Sequence, residues 1–156
     1  MILANIISLI LFIISIVFLF LIVPKQYILK KLVFGLIFGI GTAFLIFYYL
    51  ESRFGFWEFS QEDIIYIGDI GVFLAAVWTP LVVIFVYLIK LAENLFTKLI
   101  LTIFFPLLSV LSHYGFEINE MLVYDNWSYF DTFLLSFIVH LSIIGALYII
   151  GDLETN

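Results

Sequence analysis

The chain lacks cysteine and carries very little charge, and each absence excludes a group of functions. Without cysteine, its 156 residues form no disulfide, no thiolate nucleophile and no cysteine-ligated metal site. Charged residues make up only 12% of the sequence, against roughly 25% in a soluble domain, so polar side chains are too few to cover a water-soluble globule. Lysine and arginine total 6 against 12 acids, which argues against a nucleic-acid partner because phosphates are bound by clustered cations.

Familiar catalytic and cofactor motifs are also missing. The sequence contains no G-x-S-x-G elbow, no H-E-x-x-H zinc motif, no P-loop and no glycine-rich dinucleotide fingerprint. We therefore expect no cofactor and no dedicated metal site, and we favour a protein without enzymatic activity. A membrane-embedded enzyme stays open, because a serine such as Ser109 or Ser136 beside a histidine is a possible nucleophile.

What the chain has instead is apolar length, with 65% hydrophobic residues and a mean hydropathy of +1.27. A bilayer core needs roughly 20 apolar residues per helix. Five stretches of about that length occur, at residues 2–23, 32–50, 70–89, 95–112 and 132–150. We predict an all-α fold, a polytopic transmembrane helix bundle of about five spans that forms one domain over residues 1–156. The first stretch lacks a basic segment and a cleavage site, so we expect it to be retained.

The lysines predict the orientation of the bundle. Five cations lie between spans one and two or between spans three and four, and one lies on the other side: Lys25, Lys30, Lys31, Lys90 and Lys98 against Arg53. Because cations in short loops stay preferentially in the cytoplasm, this asymmetry predicts a plasma-membrane protein with its N-terminus outside and its tail, 151–156, in the cytoplasm.

The two loops on the predicted outer side, 51–69 and 113–131, hold nine of the twelve acids and many aromatic residues. Two interpretations of the aromatic residues stay open. They anchor the protein at the lipid headgroups, or they wall an external binding cleft together with the neighbouring carboxylates.

Small and polar residues fall on single helix faces when helical spacing is applied. On the second span, Gly35, Gly39 and Thr42 share a face, and the GxxxG pair predicts close packing against another helix. Comparable rows occur on three other spans: Asn5, Ser8 and Ser15; Thr102, Pro106, Ser109 and His113; Thr132, Ser136 and His140. We predict that these rows face the interior of the bundle.

Two histidines and three carboxylates are the candidate binding residues. His140 lies on the order of 13 Å into the membrane at 1.5 Å per residue, and an ionisable group at that depth is a functional candidate by default. A neutral imidazole bonded to a hydroxyl would equally serve packing alone. His113, Glu117, Asp69 and Glu51 lie towards the outer side. Convergence of these residues with His140 would make a proton relay or a small metal site, but the spacing does not require it.

Several motifs resemble those of a family of small, mostly uncharacterised five-span integral membrane proteins of spore-forming Firmicutes. They are Val23-Pro24-Lys25 closing the first span, Glu51 with Phe54-Gly55-Phe56 after the second, Pro80 within the third, and Tyr124 with Trp127 before the last. The resemblance implies a membrane location and a topology, but no activity.

Two functions follow as hypotheses. The first is a non-enzymatic accessory or envelope protein, surrounded by the lipid bilayer and associated with a membrane-protein partner or with further copies of itself. The alternative is a small oligomeric transporter or channel for a proton, a cation or a small solute, which would use His140 and the carboxylates of the outer face.

Overall fold

The computed structural model describes residues 6–60 and 63–153, and these residues form a bundle of five helices. We name them α1 (Ile7–Ile22), α2 (Lys25–Arg53), α3 (Val72–Leu91), α4 (Leu95–Ile118) and α5 (Tyr129–Ile149). Helices α2 to α5 are long and apolar enough to cross a membrane. The predicted all-α class of a polytopic membrane bundle is therefore confirmed.

The described residues cover only part of the first predicted span. Helix α1 has 16 described residues, about 24 Å of helix, which is shorter than a bilayer core of roughly 30 Å. The predicted span began at residue 2, and residues 2–5, with the candidate Asn5, lie outside the described part of the chain. The described residues therefore contain four helices of spanning length and one shorter apolar helix.

Several helices extend beyond the predicted spans, and local chemistry explains where they begin and end. Helix α2 starts at Lys25 because Pro24, which has no N–H, ends the preceding segment while its carbonyl accepts the N–H of Ile28. The lysines predicted in a loop are thus helical. Helix α4 continues through the predicted loop start to Ile118. Helix α5 starts early because Ser128 and Asp131 form a capping box.

The outer loops contain short strands that hydrophobic length does not predict. Strand β1 (Trp57–Phe59) pairs antiparallel with β4 (Leu122–Tyr124), which joins the two loops. Strand β2 (Tyr66–Ile67) pairs with β3 (Ile70–Gly71) across a turn in which Gly68 has a φ of +64°. We call this layer, residues 54–60, 63–71 and 119–128, the cap.

Helix α3 occupies the centre of the bundle. Half of its most apolar stretch is buried, against 17 to 28% in the other three long helices, as expected for a helix that is apolar on all sides. One core cluster surrounds Phe85, Ile143 and Leu147. A second lies beneath the cap around Trp57 and Phe59. The cap therefore packs onto the bundle through its own apolar side chains.

Helices α2 and α3 approach each other at the two glycines of the GxxxG pair. A Cβ built on Gly39 would lie 2.5 Å from the Cα of Thr79, and one on Gly35 would lie 2.5 Å from a methyl of Val83. A π-helical turn at 37–41 accompanies this contact, and the N–H of Ile40 donates to the Thr79 hydroxyl at 3.2 Å.

Thr42, the third predicted member of this face, makes a different contact. Its hydroxyl donates to the carbonyl of Ile37 in its own helix at 3.4 Å, and its side chain is only half-buried.

At the opposite end of the bundle, one carboxylate forms ion pairs with two lysines, and we call this part, with Lys31, Lys90 and Asp152, the lysine end. The Lys31 ammonium lies 2.7 Å from Asp152, and Lys90 lies 3.4 Å from its other oxygen. Burial acts to raise the pKa of Asp152, but the two lysines outweigh it and lower the pKa overall. This contact brings Asp152, Lys31 of α2 and Lys90 in the last turn of α3 to the same end.

The start of α3 depends on a carboxylate that sequence reasoning missed. Asp63 is buried, and one of its oxygens accepts the N–H groups of Ile64 and Ile65. The other oxygen accepts those of Phe73 and Leu74 at 2.7 and 3.0 Å. A carboxylate on the free N–H groups of a first helical turn satisfies them and complements the helix dipole.

Candidate functional site

Polar side chains line the seam between α4 and α5. The residues that share this seam are all buried: Thr102, Ser109 and His113 from α4, and Thr132, Ser136 and His140 from α5. Their spacing of three to four residues places each row on one helix face. The Thr102 hydroxyl donates to the carbonyl of Lys98 in its own helix. The other five residues belong to two hydrogen-bonded groups, one under the cap and one deeper in the bundle.

The group under the cap has a defined direction of hydrogen bonding. The Thr132 hydroxyl donates to the carbonyl of Ser128 at 3.3 Å and accepts the indole N–H of Trp127 at 2.9 Å. All four hydrogen bonds of this group are satisfied together only when the Tyr124 hydroxyl, 2.9 Å from Thr132, donates to Thr132. In that arrangement His113 donates its Nδ1 proton to Tyr124 across 2.7 Å. Burial raises the pKa of the Tyr124 hydroxyl, with Glu117 acting in the same direction, so this hydroxyl keeps its proton.

In the deeper group, the contacts of His140 determine which of its ring nitrogens carries the proton. Its Nδ1 lies 2.7 Å from the carbonyl of Ser136, and because a carbonyl only accepts, Nδ1 carries the ring proton. The hydroxyls of Ser136 and Ser109 lie 3.0 Å apart. The ring also meets Phe85 edge-on at 4.6 Å and Phe105 at 5.7 Å. His140 is thus held by its own helix and by aromatic contacts.

Both histidines line a partly open cavity of about 260 Å³ among the helices, which we call the inner cavity. Phe18 and Leu108 in its wall are 52% and 38% exposed. All five helices and the cap contribute to its walls, with apolar residues such as Phe18, Leu81 and Leu108. Among the described residues that line it none is charged. A smaller cavity of about 30 Å³ lies beside it, also bordered by His113. The inner cavity is therefore neutral, mostly apolar, and provided with two imidazoles.

A second, separate space of about 780 Å³ lies in the cap, and we call it the outer cleft. Its walls include four acids and three aromatic residues: Glu51, Glu58, Asp69, Asp125, Trp57, Phe59 and Tyr66. Glu51 also accepts the backbone N–H of Phe59 at 2.9 Å. Phe54 and Phe130, in contrast, are 63% and 66% exposed. Trp57 and Tyr66 thus fit the interpretation as walls of a binding cleft, whereas Phe54 and Phe130 fit the interpretation as anchors at the lipid headgroups.

The structure does not bring the candidate binding residues to one point. Glu51 and Asp69 line the outer cleft, whereas His113 and His140 line the inner cavity. Glu117 accepts a hydrogen bond from the Tyr129 hydroxyl. Within residues 6–60 and 63–153, no group of three histidines or acids is arranged to hold a metal ion.

Four apolar helices of spanning length define the class of this molecule as a multi-pass helical membrane protein. Comparison of the chain with protein-family models, with curated proteins and with solved structures finds no match. The resemblance to the Firmicutes family therefore stays a prediction from motifs, and a function has to be argued from geometry alone.

Sequence reasoning missed Tyr124 as a partner of His113. The two residues meet because the β1–β4 pairing places Tyr124 above the α4–α5 seam, and helical spacing contains no signal for that contact. Thr132 was visible in the row it forms with Ser136 and His140, although its bond to Trp127 was not.

Proposed function

We propose that the protein is a non-enzymatic accessory protein of the cell membrane that binds an apolar chain inside its helix bundle. The inner cavity carries this proposal. At about 260 Å³ it exceeds the roughly 150 Å³ apolar cavity that accepts benzene in a soluble protein. Its described lining offers no charge for an ionic solute. Inside a bilayer, the apolar occupant at highest concentration is a lipid hydrocarbon chain.

Photoaffinity labelling tests this proposal directly. The purified protein in nanodiscs is exposed to a long-chain alkyl methyl ether that carries a photoreactive diazirine, and the labelled peptides are mapped by mass spectrometry. We expect saturable labelling of cavity-lining residues, competed by the unlabelled ether. Leu108→Trp should reduce this labelling because the larger ring occupies the inner cavity.

The matched control is Leu111→Trp, on the same helix. Leu111 is 63% exposed on the outside of the bundle, so its variant should label like the unmodified protein. Labelling that does not saturate, spreads over the lipid-facing surface and is equal in both variants would contradict the proposal.

The proposal also includes an orientation, with the cap outside the cell and the lysine end in the cytoplasm. Five cations against Arg53 support it. Because the chain has no cysteine, single cysteines at exposed positions report the side without background. We expect a membrane-impermeant maleimide to label Ser52→Cys in intact cells, and Glu93→Cys only after permeabilisation. The reverse pattern would invert the orientation.

Transport through His140 and the outer carboxylates has less support, because those carboxylates line a different space. Towards the lysine end, Phe85, Ile143 and Leu147 are fully buried and pack beyond His140. A liposome assay with the unmodified protein should therefore show no proton or cation flux. Flux that His140→Ala abolishes would restore the transport hypothesis.

A further inference from the structure

The two histidines of the inner cavity each keep one hydrogen-bond acceptor. A neutral imidazole has one N–H and one nitrogen lone pair. Since Nδ1 of His113 donates to Tyr124 and Nδ1 of His140 donates to Ser136, the lone pair in both rings is on Nε2. In the described part of the chain, no side chain or backbone group donates to either Nε2, although His113 is only 8% exposed and His140 only 3%.

An unpaired acceptor in an apolar surrounding has an energetic cost that a bound donor removes. The lining carries no cation for a carboxylate or phosphate and no anion for an amine, so an ionised headgroup would enter without a counter-charge. The remaining chemistry is a neutral donor, such as a hydroxyl, attached to an apolar chain.

Depth selects between the two rings. His113 lies about 8 Å from the cap end of α4 at Ile118, whereas His140 lies about 16 Å from the start of α5 at Tyr129, at 1.5 Å per residue. His113 is therefore closer to the headgroup level, where the hydroxyl of a lipid alcohol resides. The apolar residues that line the inner cavity, such as Phe105 and Leu108, would contact the hydrocarbon chain of the alcohol.

We propose that the inner cavity binds a neutral lipid alcohol of the surrounding bilayer, whose hydroxyl donates to Nε2 of His113 while its chain extends towards His140. This inference rests on the proposed function, because it names the chemical class of the apolar ligand. It adds a preference for a ligand with a hydroxyl group, which binding of an alkyl chain alone does not require.

The test compares two probes of equal length, the diazirine-bearing alkyl methyl ether and the corresponding free alcohol. The ether accepts but does not donate a hydrogen bond, so the pair differs in the donor and in the methyl group that replaces it, and labelling is compared at equal probe concentration in the bilayer. We expect the alcohol to label the inner cavity at a concentration three- to tenfold lower, on the order of one net hydrogen bond. In His113→Phe this preference should disappear, while the ether still labels.

Tyr124→Phe is the matched control variant. It removes the same His113–Tyr124 hydrogen bond but keeps the imidazole, so a preference for the alcohol should survive. Equal labelling by both probes in the unmodified protein would overturn the alcohol inference and leave apolar binding intact. A preference that survives in His113→Phe but is lost in His140→Phe would overturn the assignment to His113. Absence of saturable labelling by either probe would instead refute the proposed function.

Discussion

Substitution of Gly39 by alanine tests the packing at the centre of the bundle. The added Cβ would lie 2.5 Å from the Cα and 2.7 Å from the N of Thr79, whereas carbon atoms pack at about 3.5–4.0 Å. Both neighbouring atoms belong to the backbone, so no side-chain rotation relieves the clash. Helices α2 and α3 must therefore separate by about 1 Å or more, and the hydrogen bond from Ile40 to Thr79 lengthens.

The expected magnitude follows from two opposing effects. Overpacking of a tight contact costs about 1–3 kcal/mol, whereas alanine in place of glycine in a helix gains up to about 1 kcal/mol when space is free. Gly145→Ala in α5 isolates the second effect, because nothing lies within 4 Å of the point that its Cβ would occupy. Gly35→Ala should be intermediate, since its closest neighbour is a methyl of Val83.

Reversible unfolding in mixed detergent micelles, followed by circular dichroism, measures these differences. We expect Gly39→Ala to unfold at a lower denaturant concentration than the unmodified protein, and Gly145→Ala to unfold at an equal or higher one. If Gly39→Ala were as stable as Gly145→Ala, the close approach of α2 and α3 would not exist in the membrane protein, and the reasoning would be refuted.

Two further predictions concern carboxylates. Asp152→Asn should lower the unfolding free energy by up to about 3–5 kcal/mol, because Lys31 stays buried without its counter-charge. Because the folded-state pKa of Asp152 is lowered, its contribution to the unfolding free energy is complete above the ordinary aspartate pKa of about 4. This contribution is lost as the pH falls through the folded-state pKa. Unfolding measured against pH should show this loss only with Asp152 present. Asp63→Asn should cost about 1–3 kcal/mol and accelerate amide exchange at Phe73 and Leu74, since an amide has one acceptor oxygen where the carboxylate has two.

Each of these variants has a matched control. Glu93→Gln changes an exposed acid at the lysine end, and Asp125→Asn changes an exposed acid in the cap; both should be close to neutral. The Asp152 argument fails if its variant retains the acid-induced loss of stability. The Asp63 argument fails if exchange at the start of α3 is unchanged.

Local sequence signals account for some helix boundaries and not for others. The capping box of Ser128 and Asp131 is legible as a Ser-x-x-Asp pattern, and it explains why α5 starts earlier than hydrophobicity predicts. Asp63 shows no comparable signal. Its carboxylate reaches Phe73 and Leu74 across the β2–β3 turn, so its role depends on a fold of the chain that spacing does not encode.

The sequence by itself determined the class of the protein and the burial of its polar rows. Hydrophobic length is a property of a single segment, and helical periodicity decides which residues share a face; His140, Ser136 and Thr132 therefore had to lie together. Only the tertiary structure decided which faces meet. It placed the carboxylates of Glu51 and Asp69 in the outer cleft, away from the histidines, because contacts between distant segments depend on how five helices and a cap pack in three dimensions.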